Sequence, residues 1–569
     1  MKEHSNSGKV AFFCAEYGVE SRFPIYSGGL GIHGGDILKT SADLELPVVG
    51  VGLLYDNGYM RQKIVDGRQT HYPEYYNPHD FATLLEETIT VPLEGSAVKV
   101  NIWRFNVIGQ TGYSVPLLLL NSNHLDNRPE DRFITFNLYP TDEAQRIKQY
   151  AILGIGGVKA LDKLGYNVDT YHLNDAHPSF MTAEIMDQQG NLERVREKTV
   201  FTTHTPVPEG NQYFDPALVW NILGEQYARH IEFPSHGKLN MAAHAVRFAR
   251  YINAVSKKHR AVAQHMGEFR ERGIDLDYIT NGVHSLTWTG PEFRQLFDAN
   301  VPGWRLNPML LAKFDAPYHE IEKAHRSQKN VLIDYVDEKT GIKLDPDSIT
   351  LRFSRRFTDY KRPDLLLSDI EMLKKAAGGE LLQVTYAGKA HPADQRGQEL
   401  IHFINQRARE ISPSNIRIVF IPDYNMDNAA LLVQGVDLGL SNPQRTQEAS
   451  ATSLFKEAHN AAPHLGIPDG AFIEMLERAS KFPVGWPIGI ENGDDPRRRN
   501  PVEDAEDART LYATLSEIIK GEIPPESSLG AIVHTASHFN STRMVREYAE
   551  RAWGLGKQDK IHFEAMVSR

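Results

Sequence analysis

Four cationic side chains crowd into SRRFTDYKRP (354–363): Arg355, Arg356, Lys361 and Arg362. Guanidinium groups grip phosphate oxygens as a fork, and a lysine adds a point charge. In a chain of net charge -11 this clustering points to an anion site. A solvated charge run is the plain alternative, and the interleaved Phe357 and Tyr360 weigh against it. Lys456 closes the stretch EASATSLFK (448–456), which follows the apolar LLVQGVDLGLSNP. Its amine therefore falls at the edge of a packed region, where an ammonium is costly to desolvate. Three fates are open to it: a surface helix lysine, a second phosphate ligand, or a Schiff base with an aldehyde cofactor. The last removes the buried charge and places Ser450, Thr452 and Ser453 as hydrogen-bonding neighbours. Spacing alone does not choose among them.

Three further motifs could carry chemistry. In YSGGLGIHGGD (26–36), Gly29, Gly31 and Gly34 satisfy G-x-G-x-x-G, a pattern that brings backbone N–H groups close to phosphate. The glycines come too long after the strand expected at 10–16 for a dinucleotide site, so a flexible active-site loop or a plain tight turn is expected. HLNDAHP (172–178) and TTHTPVPEG (202–210) each follow an expected strand, where open α/β sheets place ligands. His172 and His177 lack the i, i+4 spacing of a helical zinc site, and no carboxylate cluster completes a shell, so no metal is expected. Hydrogen-bonding histidines fit better, whether structural or in contact with substrate.

The elements that must position these residues alternate. Short β-branched runs at 10–16, 46–55, 114–122, 170–175 and 198–205 are separated by helical-period segments. A second series at 348–356, 381–389, 415–423 and 436–442 is interleaved with helices expected at 365–376, 393–410 and 426–435. The pattern predicts two successive α/β units, each a doubly wound, largely parallel sheet, facing each other across a cleft. The boundary is placed after TNGVHSLTW (280–288), giving an N-terminal unit of 1–288 and a C-terminal unit of 289–569, with a helix expected over 316–340. DDPRRRN (494–500) reads as a solvated loop.

Composition narrows the class. At 569 residues the chain exceeds one ordinary core. With 41% hydrophobic and 24% charged residues, no apolar run long enough to cross a bilayer and no leader-like start, a cytoplasmic protein is expected. The single cysteine, Cys14, excludes an intrachain disulfide and any multi-cysteine zinc site. The acidic balance argues against nucleic acid as a partner.

Taken in order, the blocks AEYGVESRFPIYSGGLGIHGGDILKTSADL (15–44), HLNDAHP, TTHTPVPEG, TNGVH, RRFTDYKRP, YAGKAHPAD (386–394), IPDYNM (421–426), VQGVDLGLSNPQRTQEAS (433–450) and GWPIG (485–489) resemble the α-glucan phosphorylases, the family of glycogen, starch and maltodextrin phosphorylase, in its shorter bacterial and archaeal branch. The resemblance covers most of the chain. It implies a glycosyltransferase-B fold and pyridoxal 5′-phosphate bound through a Schiff base to Lys456. It also implies phosphorolysis of the non-reducing terminal α-1,4-glucosyl unit of a glucan or maltooligosaccharide by inorganic phosphate, giving α-glucose 1-phosphate with retention.

Carried over by position, Arg355 and Thr452 match neighbours of the cofactor phosphate, and Tyr424 matches a residue beside the cofactor. Arg356 and Lys361 match the pair that holds the reacting phosphate, with Tyr360 between them. Asn281, Glu448, Ser450 and His204 match sugar-hydroxyl contacts, Asp175 and His177 line the same pocket, and Gly28 and Gly29 match the glycine loop over the phosphates. Two phosphates brought together repel, so the basic segment is needed between them. Proton exchange between them removes the need for a carboxylate dyad.

Departures from the family pattern cluster after Glu448. Ala451 and Leu454 stand where glycines are usual, Phe455 where methionine is, and side chains change through residue 472, so crowding of sugar and cofactor phosphate is expected there. The resemblance begins at the first strand, without the family's N-terminal extension that carries regulatory and dimer contacts; a homo-oligomer stays open. Two rival functions also stay open: a nucleotide-sugar glycosyltransferase of the same fold, which would leave Lys456 free, and a non-catalytic glucan-binding or regulatory relative.

Overall fold

A computed structural model describes residues 9–207, 210–412, 414–489, 501–521 and 523–555. The DDPRRRN run and Pro208 and Glu209 of TTHTPVPEG lie outside the described residues.

The sequence alternation resolves into two parallel sheets. The first runs Asp277–Tyr278, Tyr251–Ala254, Thr199–Thr202, Thr170–Asn174, Val10–Phe13, Val48–Leu53 and Ser114–Asn121, all parallel, and ends in two antiparallel edge strands, Ser96–Ile108 and Thr83–Leu93. The second is wholly parallel: Ile416–Ile421, Leu382–Ala387, Thr350–Ser354, Leu438–Ser441, His464–Gly466 and Gly485–Pro487. Continuous apolar runs such as VAFF and LLLL suit strands covered on both faces, and every residue of Val10–Phe13 and Leu382–Ala387 is buried. Each sheet has its own large apolar core, and the segment 293–324 packs a third against Ala458, Ala461, Ala531, Ile532 and Ala536.

Helices expected at 393–410, 426–435 and 316–340 form as Gln395–Ile411, Met426–Gly435 and Tyr318–Thr340. That at 365–376 divides into a 3-10 turn, Leu365–Leu367, and the helix Ile370–Ala377, because Asp369 caps the second piece through the Met372 N–H. The last described helix, Ser541–Arg551, returns to the first sheet. Met544, Val545 and Tyr548 join that core, and Trp553 Nε1 donates to His172 Nδ1 at 2.9 Å.

An arm that the sequence did not announce ties the units together. The antiparallel hairpin Asn57–Val65 and Arg68–Tyr75 leaves the first unit and pairs with the loops after two strands of the second. Gln62 Nε2 donates to the Gly388 carbonyl at 2.8 Å and its Oε1 accepts from the Asp423 N–H at 2.9 Å. Gln69 exchanges hydrogen bonds with Ala390, at 2.9 and 3.0 Å, and Lys389 Nζ reaches the Met60 carbonyl at 2.7 Å. Gln62 is 2% exposed. Gln62→Leu strands the Asp423 N–H and the Gly388 carbonyl, and a loss of about 2–4 kcal/mol is expected, seen as a lower urea midpoint; an unchanged midpoint contradicts the role given to the arm.

Candidate active site

Residues proposed for chemistry leave the carboxyl ends of strands in both sheets. Arg355 and Arg356 follow Thr350–Ser354, Tyr424 follows Ile416–Ile421, Asp175 follows Thr170–Asn174 and His204 follows Thr199–Thr202. This is where parallel sheets gather ligands, since strand ends and helix starts converge there.

Lys456 sits in the short helix Ser453–Ala458 and is 8% exposed. Its Nζ lies 3.5 Å from the centre of the Trp288 ring, and its carbonyl accepts from Asn460 Nδ2 at 2.9 Å. No carboxylate lies within ion-pair distance of that amine among the described residues. Burial lowers its pKa to about 7, only partly opposed by Asp36. The surface-lysine fate is thereby removed. A buried amine that gives up its proton near neutral pH is what a carbonyl-capturing lysine needs.

Beneath it runs a chain of buried charges. Arg352 pairs with Glu457, whose other oxygen accepts from His464 Nδ1 at 2.8 Å, and His464 Nε2 meets Ser441 Oγ at 2.7 Å. Gly439 makes room for it: a Cβ there would come within 1.9 Å of the Glu457 carboxylate. Burial raises the Glu457 pKa, but Arg352 and His464 outweigh it and hold the group ionised.

The basic segment divides. Arg355 Nη2 and Lys361 Nζ both contact Glu448 Oε2, at 3.1 and 2.9 Å, and Lys361 lies 4.6 Å from the Tyr360 ring centre. Burial pushes the Glu448 pKa up, yet the two cations carry it below the usual value. Glu448 N–H donates to Asp469, whose carboxyl is pushed to about 7 by burial. Arg355 Nη1 is buried without a partner. Arg356 is exposed; its electrostatic neighbours are Tyr360, Tyr59 and Tyr139, and it forms no ion pair among the described residues. Arg362, expected in the same cluster, is diverted. Its backbone turns left-handed at φ 42° and sends the guanidinium to Asp504 and Asp507, at 2.7 and 2.8 Å, and to the carbonyls of Asn442 and Pro443. It braces the helix Pro501–Gly521 instead of the cleft.

On the opposite wall, His204 Nε2 donates to Asn174 Oδ1 at 2.7 Å, while Asn174 Nδ2 is directed at Cys14 Sγ at 3.2 Å. His204 Nδ1 is left as an acceptor, and burial followed by the nearby histidines holds the ring neutral. Asp175 has φ 69° and caps the Ala176 N–H at 2.8 Å. His177 stacks edge-on against Tyr150 with its Nδ1 unpartnered. His172 is structural, held by Thr202 and Trp553. Asn281 Oδ1 and Ser450 Oγ are buried without partners, half-buried Thr452 precedes the Lys456 helix without a side-chain hydrogen bond to its first turn, and Tyr424 OH approaches Ser354 at 3.5 Å.

The glycine cluster is neither a flexible loop nor a tight turn. It starts the helix Gly29–Asp43, with Gly28 as its extended N-cap. Gly31, Gly34 and Gly35 let this helix press on Glu16, Tyr17 and the Gly18 carbonyl, whereas Cβ atoms at Gly28 and Gly29 would meet open space. Glu16 already accepts from the Gly28 N–H at 3.0 Å. The expected crowding after Glu448 is relieved for Leu454 and Phe455, which point into an apolar cluster where Phe455 stacks on Phe539 at 4.5 Å. Ala451 does adopt φ 68°, the left-handed region that favours glycine, at a cost of about 1–2 kcal/mol that its buried methyl offsets in part.

Sequence reasoning missed Trp288, Asp36, Asp469 and the Arg352–Glu457–His464 chain. Glu457 and His464 adjoin the lysine motif and carried the signal of charges inside apolar runs; Trp288 and Asp36 meet Lys456 only through the fold. Among the described residues, no group of three or more histidine, cysteine, aspartate or glutamate side chains could hold a metal ion. No helix among them is long and apolar enough to cross a membrane.

Comparison with known proteins gives the family. Residues 224–529 match the carbohydrate phosphorylase family and residues 9–274 the starch synthase catalytic domain. Maltodextrin phosphorylase of Thermococcus litoralis is 33% identical over 97% of this chain and 71% of its own length. Glycogen phosphorylase of Aquifex aeolicus is 32% identical over 95% of the chain and 85% of its own length, and that of Mycobacterium tuberculosis 32% over 96% and 71%. Fold and site together define a glycosyl-transferring enzyme of the glycosyltransferase-B class. Within that class, the chain belongs to the carbohydrate phosphorylase family.

Proposed function

We propose that this enzyme is a cytoplasmic α-1,4-glucan phosphorylase that carries pyridoxal 5′-phosphate on Lys456. It transfers the non-reducing terminal glucosyl unit of glycogen or a maltooligosaccharide to inorganic phosphate, giving α-glucose 1-phosphate with retention. The observation that carries the reading is the buried amine of Lys456, without an ion pair among the described residues, at the end of the segment 448–456 whose Glu448 pairs with Arg355 and Lys361.

The residues present fit the cofactor. Lys456 would hold it covalently, and Arg355, with one unpartnered guanidinium nitrogen, and Thr452 would meet its phosphate. Tyr424 would flank it, and Gly29 leaves open space at the start of its helix. When bound, pyridoxal 5′-phosphate supplies a phosphate group able to exchange a proton with the substrate phosphate. Arg356 and Lys361 hold the reacting phosphate and balance its charge, with Tyr360 lining the approach and Gly28 leaving space above it. The Lys361 side chain must exchange Glu448 for that phosphate, which frees the carboxylate to accept from a sugar hydroxyl. His204 Nδ1, Asn281 and Ser450 offer further hydrogen bonds to the hexose, and Asp175 and His177 close the pocket. The bond from the anomeric carbon to the departing glycosidic oxygen breaks, the substrate phosphate gives its proton to that oxygen, and a phosphate oxygen takes its place on the same face. In this reading residues 1–288 bind glucan and 289–569 bind cofactor and phosphate, with the last helix crossing back.

Incubation of the holoenzyme with maltodextrin and phosphate should release glucose 1-phosphate. A chain that binds glucan but releases none is the non-catalytic relative instead. Asn281→Ala should raise KM for glucan about 10-fold or more at unchanged cofactor content; loss of cofactor in that variant contradicts the placement of Asn281 in the sugar pocket.

A further inference from the structure

His33 stands out among the groups that no role above absorbs. It lies in the second turn of the helix Gly29–Asp43 and is 4% exposed, yet neither ring nitrogen has a partner. A neutral imidazole buried with both a donor and an acceptor unmet is costly. Its surroundings say what would meet them. The ring packs edge-on against His204, with centroids 4.9 Å apart. Helical spacing puts Gly29, His33 and Asp36 on one stripe. That stripe lies against residues assigned above to the reaction: Gly29 opens on space, His33 meets His204, and Asp36 accepts from Trp288, the ring beneath Lys456. Burial lowers the His33 pKa to about 3, so it serves as a neutral hydrogen-bonding group throughout the physiological range.

We propose that His33 is a substrate-binding residue that hydrogen-bonds one hydroxyl of the terminal hexose alongside His204, and so sharpens selection for a hexosyl unit bearing that hydroxyl. This rests on the glucosyl pocket assigned above. A site built to hydrogen-bond a hydroxyl rejects the analogue lacking it, because its own polar groups are then left unpaired. Leucine fills a similar volume without polar atoms, which makes His33→Leu the informative change.

Calorimetric titration of the holoenzyme with glucose and its monodeoxy analogues tests the assignment. His33→Leu should bind glucose about 5- to 10-fold more weakly. One monodeoxy analogue should bind parent and variant equally, since it lacks the hydroxyl that His33 reads. His33→Gln, which keeps a donor and an acceptor, should recover part of the loss. Equal binding of the whole series by parent and His33→Leu overturns the proposal, as does a uniform loss for every analogue, which marks a packing role. If the parent binds no hexose at all, the sugar pocket itself is refuted, a result distinct from either of these.

Discussion

Arg356→Ala should lower kcat/KM for phosphorolysis about 100- to 1,000-fold, or roughly 3–4 kcal/mol of transition-state stabilisation, with cofactor content and folding intact. The separation follows from its environment. Arg355 and Lys361 are engaged with Glu448, and Arg362 is spent on Asp504 and Asp507, whereas Arg356 is exposed in the cleft against tyrosine rings. Its removal therefore breaks no internal ion pair, and its charge is available to the arriving phosphate. Lysine at that position restores the charge but not the fork, so Arg356→Lys should recover only part of the rate. The effect should appear chiefly in the dependence on phosphate. Turnover within a factor of a few of the parent would show that phosphate is held elsewhere.

Glu457→Ala should have the largest effect on stability, about 3–5 kcal/mol. The buried Arg352 guanidinium then loses its counter-charge, and His464 its acceptor. Replacing both members together, Arg352→Met with Glu457→Met, should cost less than Glu457→Ala alone, because no unpaired charge remains in the interior. Urea unfolding followed by tryptophan fluorescence reads both. A small loss in the single variant, or a larger one in the double, contradicts the view that an unpaired buried charge dominates.

The strands were legible because their residues are buried on both faces. Continuous apolar runs such as VAFF and the LLLL of Ser114–Asn121 carry that signal without ambiguity. The hairpin 57–75 was not, since its alternation of polar and apolar residues resembles any exposed ribbon, and its value lies in Gln62 and Gln69, whose partners are more than 300 residues away. Glycine spacing misled in the same way. G-x-G-x-x-G suggests a flexible loop or a tight turn, but two of its glycines, Gly31 and Gly34, together with the adjoining Gly35, let a helix touch the segment 16–18. Within the site, Lys456 and the basic segment were recognisable from charge in unlikely places. Arg362 was not separable from its neighbours, because only a left-handed backbone turn sends it the other way. Trp288, Asp36 and His33 reach Lys456 and His204 from distant parts of the chain, so no local pattern announces them.

Lys456 is the proposed anchor of the cofactor. Near-ultraviolet absorbance of the purified protein after exposure to pyridoxal 5′-phosphate and removal of excess tests this directly. The parent should show a stoichiometric cofactor band, gained at a rate that is half-maximal near pH 7, where the amine loses its proton, and Lys456→Ala should show none. A parent protein without the band, or a Lys456→Ala variant that retains it, would contradict the assignment.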